Sequence, residues 1–311
     1  MKLGIMTGAR PSGKDVNAIG RSTTVDEVVA LTRRAEAAGF DNVWMANVFS
    51  LDAIMTMGIA GRESTRIEVG TAVTPTYPRH PTAIAQQAVT AAAACNNRFV
   101  LGIGLAHKVM IEDALGMSYA RPARHMKEYL AVLAPLLRGE QVDYDGEQYR
   151  VHGLTVGAAG AGEVPVFVAA LGEQMLRLAG RHTAGTITWM VGPRTLADHV
   201  VPTINGAASE AGRAAPRVVA GFPIVLTSQA DEARRRIDAA LAIYGQLPSY
   251  RAMLDREGAR SPAELAIVGD EAALRDGIAR ARDAGATDFN AAIAEVDEGA
   301  FERTFEFLAS L

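Results

Sequence analysis

Short apolar runs alternate with amphipathic stretches from one end of this 311-residue chain to the other, and that rhythm leaves few folds open. Strand patterns fall at Leu3–Gly8, Asn42–Val48, Ile67–Pro75, Phe99–Ala106, Val164–Leu171, Thr186–Val191, Arg217–Thr227 and Asp288–Val296. The stretches between them carry helix signals. Thr23-Thr24 offers capping hydroxyls, Pro81 and Pro122 suit a first helical turn, and Gly39 and Gly139 stop the runs they follow. Eight strands with helical crossovers predict an α/β fold, the (β/α)8 TIM barrel, with the whole chain 1–311 as one domain. The rival doubly wound sheet calls for a glycine-rich turn after strand one, and Thr7-Gly8-Ala9-Arg10-Pro11 is not one.

Three insertions break the rhythm, after strands 1, 4 and 7. Ala9–Thr23 and Ser228–Gly285 exceed a normal connection and are candidate lids or walls. Between them, Val142–Val151 alternates about Asp145-Gly146 and predicts a hairpin.

Composition narrows the function classes. The balance of 31 basic and 35 acidic residues gives a net charge of −4, which supplies no attraction to nucleic acid or an anionic membrane. No apolar run approaches a membrane span, and the first residues read as a strand. The single cysteine, Cys95, has no intrachain partner, and a cytoplasmic location is expected. The six histidines show no metal-ligand spacing, and no serine-nucleophile elbow is present.

Chemistry in a parallel barrel is done at the carboxyl ends of the strands. His107 follows strand four there and is the candidate acid–base group. Asn47 ends strand two, where its amide serves a cofactor edge or satisfies backbone groups. Gly102 and Gly104 sit inside strand four and read as close-packing glycines. Gly172 opens a helix after strand five, where backbone amides suit a phosphate. Trp189-Met190-Val191 at the end of strand six either walls a flat heterocycle or belongs to the core. His80 and His125 are read as structural and as surface or lid, and His152, His182 and His199 as structural.

Together these segments resemble the luciferase-like monooxygenase family, in its branch of oxidoreductases that use the deazaflavin coenzyme F420. The resemblance is carried by Ala35-Glu36-Ala37-Ala38-Gly39-Phe40-Asp41, Gly70-Thr71-Ala72-Val73-Thr74-Pro75, the segment from Arg79-His80-Pro81 to Gln87, Asn97 to Gly104, Pro165 to Ala170, and Ala179-Gly180-Arg181. It implies a barrel holding the ring in its mouth and a cis peptide at Ala72-Val73. It also implies cofactor contacts from Ala72, Val73, Thr74, Ala170, Leu171, Gly172, Met190 and Val191. The chain departs from the family pattern at Asn47-Val48, where an Asp-His pair is common, at His107, where a Glu is common, and at Leu171, where the first glycine of a phosphate turn stands.

The reading that follows is hydride transfer between F420 and a small organic substrate, with His107 and Asn47 as the candidate catalytic pair. Alternatives are an FMN-dependent monooxygenase served by a separate reductase and a non-catalytic flavin-binding protein. Arg10 and Lys14 are placed to meet an anionic cofactor tail. A homodimer is expected through the helices bearing Leu51, Ile54, Met55 and Ile59, and Ile84, Ala88, Ala91, Ala92 and Cys95.

Overall fold

The strands of the computed structural model, which describes residues 1–7, 24–48 and 50–311, close on themselves. Barrel strands β1 (Lys2–Thr7), β2 (Asn42–Met45), β3 (Glu68–Thr71), β4 (Phe99–Gly104), β5 (Val166–Ala169), β6 (Gly185–Trp189), β7 (Arg217–Leu226) and β8 (Asp288–Ile293) are parallel throughout. They pair in sequence order, β6 with β7, β7 with β8, and β8 back to β1 with Lys2 opposite Asp288. The TIM barrel is therefore closed. Helices α1 (Val25–Ala37), α2 (Ala53–Arg62), α3 (Pro81–Ala94), α4 (Pro122–Leu137) and α5 (Glu173–His182) follow the first five strands.

Local sequence explains these elements. Thr24 and Glu27 form a reciprocal capping box at α1, and its Val28, Leu31 and Ala35 turn inward on one helical stripe. Asp52 caps α2, and His80 accepts from the Thr82 amide at the start of α3. Strand β3 is interrupted by a cis peptide between Ala72 and Val73, after which Thr74–Pro75 pairs with β4. The two β4 glycines make this possible. A Cβ on Gly102 would sit 1.9 Å from the Thr71 carbonyl oxygen, and one on Gly104 would sit 2.6 Å from Val73 Cγ2.

The insertion after β4 carries one π-helical turn, Met110–Ala114, and the Asp145-Gly146 hairpin follows α4 as strands Val142–Asp145 and Arg150–Leu154. The insertion after β7 is helical at Ala230–Leu241, Pro248–Glu257 and Glu271–Asp283, but holds before the last of these a short strand, Ile267–Gly269, that pairs parallel with β7. The sequence reading of 228–287 did not include that strand, whose three residues are too few to show a period of two. Residues 8–23, the first insertion with Arg10 and Lys14, lie outside the described residues.

A polar network seals the lower end of the barrel. Arg217 bonds Glu68 at 2.8 Å and Asp288 at 3.1 Å, and stacks over Phe167. Asn42 donates to Asp288 and accepts from the Trp44 indole at 2.7 Å. Lys2 adds a contact to Glu68 at 3.7 Å. Among the described residues no helix is long and apolar enough to cross a membrane.

Candidate active site at the barrel mouth

Strand alternation decides what faces the mouth. Asp288 and Asn42 point into the barrel, so Asn290 and Ala292, and Trp44 and Ala46, do too. At the upper strand ends the inward residues are Met6, Ala46, Ala72, Gly104, Ala169, Trp189, Gly221 and Ala292. Most are alanine or glycine, and Ala46, Ala72, Ala169 and Ala292 are partly exposed where their strands are otherwise buried. A floor of this kind is shallow and flat, and Trp189 adds an aromatic wall. Below it Asn290 is fully buried between Gly4 and Gly221, and neither of its amide atoms has a hydrogen-bond partner among the described residues. A buried amide without partners is costly, so it is a group that a ligand or ordered water can satisfy. Nothing in the local sequence around Asn290 distinguished it from a core strand.

His107 stands on the rim. Ala106 before it has φ 57°, a left-handed conformation that turns the chain out of β4. The Tyr119 hydroxyl donates to the Ala106 carbonyl at 3.4 Å. The His107 ring meets the rings of Tyr244 and Tyr250, from the insertion after β7, with centroids 6.1 and 5.9 Å away. Burial pushes the imidazole below its ordinary pKa, so it is neutral at physiological pH and able to accept a proton. Both tyrosines are pushed up by burial and remain hydroxyls. The sequence offered no sign of this ring cluster, because His107 lies more than 130 residues from both tyrosines.

The other sequence-predicted residues divide. Ala72 and Val73 are partly exposed at the floor, next to Gly104. Thr74 is fully buried, and its hydroxyl has no partner among the described residues. Asn47 Oδ1 accepts from the Ala53 amide at 2.9 Å, which ties it to the start of α2. Ala170, Met190 and Val191 are buried, and Met190 packs into the cluster of the β7 insertion with Leu241 and Leu254. Trp189 is the partly exposed member of its turn.

Gly172 begins α5 with no side-chain cap. Its φ of −81° suits any residue, and an added Cβ would meet nothing within 4 Å among the described residues. The fold does not require glycine there, whereas close approach of an anion to the first-turn amides does benefit from it. His199 hydrogen-bonds the Leu171 carbonyl through Nε2 at 2.8 Å and fixes the turn. The helix start after β6 is different. There the Glu257 carboxylate covers the amides of Arg194 and Thr195. Of these two neighbouring helix starts, one is uncovered among the described residues and the other already holds an anion.

His125 corrects the sequence reading. It is 3 % exposed, not surface or lid. Nε2 meets the Thr76 hydroxyl at 2.9 Å, Nδ1 meets Gln148 Oε1 at 3.2 Å, and the ring stacks on Tyr77 with centroids 3.9 Å apart. Burial drives its pKa down to about 4. It joins α4, the loop after Thr74–Pro75 and the hairpin behind the mouth. The expected dimer stripe is also divided. Ile54, Ile84, Ala88, Ala91, Ala92 and Cys95 are buried within the chain, while Met55 and Ile59 are exposed.

Comparison with known proteins agrees with this architecture. The chain is 28 % identical over 257 residues to 5,10-methylenetetrahydromethanopterin reductase of Methanolobus tindarius, covering 82 % of this chain and 78 % of that one. It is 28 % identical over 272 residues to the F420-dependent glucose-6-phosphate dehydrogenase of Nakamurella multipartita, covering 82 % and 78 %. The solved structure of an F420-dependent secondary alcohol dehydrogenase in complex with an F420–acetone adduct superposes with a TM-score of 0.81 at 17 % identity, over 99 % of this chain and 97 % of that one. The family model for luciferase-like monooxygenases matches residues 1–302, and the chain belongs to that family.

Proposed function

We propose that the protein is an oxidoreductase that moves a hydride between coenzyme F420 and a small organic substrate. The observation that carries the reading is the pairing, across one mouth, of a small-residue floor beside the Ala72–Val73 cis peptide with open helix-start amides at Gly172. A flat ring fits the first and a phosphate the second, and the relatives with F420 in their names share most of the chain. When bound, the deazaflavin supplies two-electron hydride chemistry, because carbon replaces the flavin nitrogen that takes part in oxygen chemistry.

The chain's own residues have separate tasks. Ala46, Ala72, Ala169 and Ala292 let the ring settle flat, and the Asn290 amide lies beneath it. The α5 amides and Gly172 hold the phosphate. His107, neutral and recessed beside Tyr244 and Tyr250, gives or takes the proton that accompanies the hydride. Fixing ring and substrate face to face is the protein's main contribution to rate. Glu257 places a carboxylate at the next helix start, which disfavours a phosphorylated substrate there. Exposed Met55 and Ile59 on α2 support pairing of two copies through that face.

Titration of the apo-protein with F420 and with FMN at the same salt tests the reading. Tighter F420 binding is expected, and tighter FMN binding overturns it. The second reading, an FMN-dependent monooxygenase working with a reductase, draws on the description of the matched family. The absorption spectrum of the cofactor copurified from a host that makes both separates the two.

A further inference from the structure

The aromatic rings of this chain are unevenly placed. Four of its seven tyrosines, Tyr77, Tyr119, Tyr244 and Tyr250, lie in the loops and insertions that follow β3, β4 and β7, and Trp189, one of two tryptophans, ends β6. All five are partly exposed, as is His107. The tyrosines form two groups that meet at Ala106–His107. On one side Tyr119, whose hydroxyl donates to the Ala106 carbonyl, stacks on Tyr77 with centroids 5.2 Å apart. On the other, Tyr244 and Tyr250 stand edge-on to each other at 4.9 Å and edge-on to the His107 ring.

The same insertions carry apolar side chains that the core does not use. Among the described residues nine large apolar side chains are exposed, and four of them, Val109, Leu115, Met117 and Ile243, belong to the insertions after β4 and β7. Val109 follows His107 by two positions and Ile243 precedes Tyr244, so the ring contact at His107 brings the two segments to one lip. Apolar surface left in water is unfavourable, and a ligand that covers it recovers that free energy.

Charge around the lip points the same way. Lys108 faces Glu112 at 3.6 Å, and Arg79 faces Asp52 at 2.9 Å. Glu257 fills the helix start after β6, and Glu295, Asp297 and Glu298 follow β8. An anionic substrate would give up its water here and meet carboxylates.

We propose that the substrate of this mouth is an uncharged molecule built on a flat, apolar ring system, held by the tyrosines of the insertions after β4 and β7. The proposal rests on the deazaflavin reading of the mouth, since a flat ring is also what stacks best on a flat coenzyme. Edge-on and offset ring pairs gain free energy beyond the area they bury, which favours a ring over an aliphatic chain of equal hydrophobicity.

The test is titration of the full-length protein, loaded with oxidised deazaflavin and followed by the coenzyme's fluorescence. A ketone takes no hydride from the oxidised form, so the titration reads binding alone. The probes are acetylnaphthalene, flat and uncharged, nonanone, an aliphatic ketone of similar hydrophobicity, and acetylnaphthoate, the same ring system bearing a carboxylate. Each aromatic contact contributes about a two- to tenfold factor. Acetylnaphthalene is expected to bind about tenfold or more tighter than either of the others. In the Tyr244→Leu/Tyr250→Leu variant, apolar but without the rings, its advantage over nonanone should fall to about twofold. Affinities for nonanone and for the deazaflavin, which also reports correct folding, should stay within about twofold. Tyr119→Leu, on the other side of His107, is the second variant, and should lose affinity for acetylnaphthalene but not for nonanone. Equal binding of acetylnaphthalene and nonanone by the wild type, tighter binding of acetylnaphthoate, or no response to any probe overturns the substrate proposal and leaves the mouth reading standing. So does a preference for acetylnaphthalene that survives in full in both variants. A wild type that takes up no deazaflavin overturns the mouth reading, and the substrate proposal falls with it.

Discussion

The Glu257 carboxylate accepts from Thr195 twice, through the backbone N–H and the hydroxyl, each at 2.7 Å. The two residues are 62 positions apart, one ending a helix of the β7 insertion and the other in the first turn after β6. The contact clamps the insertion to the mouth and fills a helix start with the chain's own negative charge. A Cβ on Gly192 would lie 2.1 Å from the Glu257 carboxyl carbon, so glycine there allows the approach.

Glu257→Ala should destabilise the protein by about 1–3 kcal/mol, the cost of leaving partly buried donors unpaired. It should also uncover an anion site. Thermal melts with and without inorganic phosphate check both effects: phosphate is expected to raise the Tm of the variant more than that of the wild type. Equal shifts in the two proteins would show that Glu257 does not block that helix start.

His107→Gln retains size and hydrogen bonding but cannot carry a proton near neutral pH. Cofactor affinity is expected to stay within a few-fold and turnover to fall by at least about a hundredfold. Because burial lowers the His107 pKa, the wild-type rate should be level through neutrality and fall only below pH 6.5 if the imidazole acts as a base. Turnover of the variant near the wild-type value, at full cofactor occupancy, would assign His107 a structural role.

His125 predicts a pH dependence of stability. Its pKa is about 4 in the folded state against 6.5 for the free side chain. Between those values the unfolded chain binds the extra proton, so stability rises with pH. The contribution is fully present above pH 6.5 and is lost as pH falls towards 4, amounting to roughly 3 kcal/mol at most. Urea denaturation at several pH values should show a flatter profile for His125→Gln than for the wild type. Parallel profiles would contradict the assignment.

Much of the barrel was readable because strand and helix periods differ, and α4 starts at Pro122 and stops before Gly139, as those two signals predicted. The strand ends that form the mouth were located the same way, and with them His107 and Gly172. What escaped was decided by partners distant in sequence. His125 stands among Arg121, Pro122 and Arg124 and reads as surface, but Gln148 and Tyr149 of the hairpin fold over it. Glu68, Arg217 and Asp288 sit at strand starts that look ordinary until the barrel closes and brings them together. Asn290 carries no local signal because its environment is two glycines on other strands.

Exposed apolar side chains on α2 give a further prediction. Met55 is 69 % and Ile59 40 % exposed. If two copies pair through this face, Met55→Glu/Ile59→Lys should weaken the pair while leaving the thermal midpoint of the separated chain almost unchanged, since neither side chain is in the core. Light scattering at micromolar concentration checks this. A wild-type mass near one chain, unchanged on tenfold concentration, rules pairing out.

The inward side chains Trp44, Val100, Phe167, Ile187 and Val219 fill the barrel above the Arg217, Glu68 and Asp288 network and leave a blind cup open only at the mouth. Traffic is therefore one-ended. Whatever settles on the alanine floor must arrive before anything that stacks above it, and must leave after it. If the deazaflavin lies on that floor as proposed, steady-state kinetics are expected to follow a compulsory order, with the deeper ligand leading and the shallower one exchanging over it.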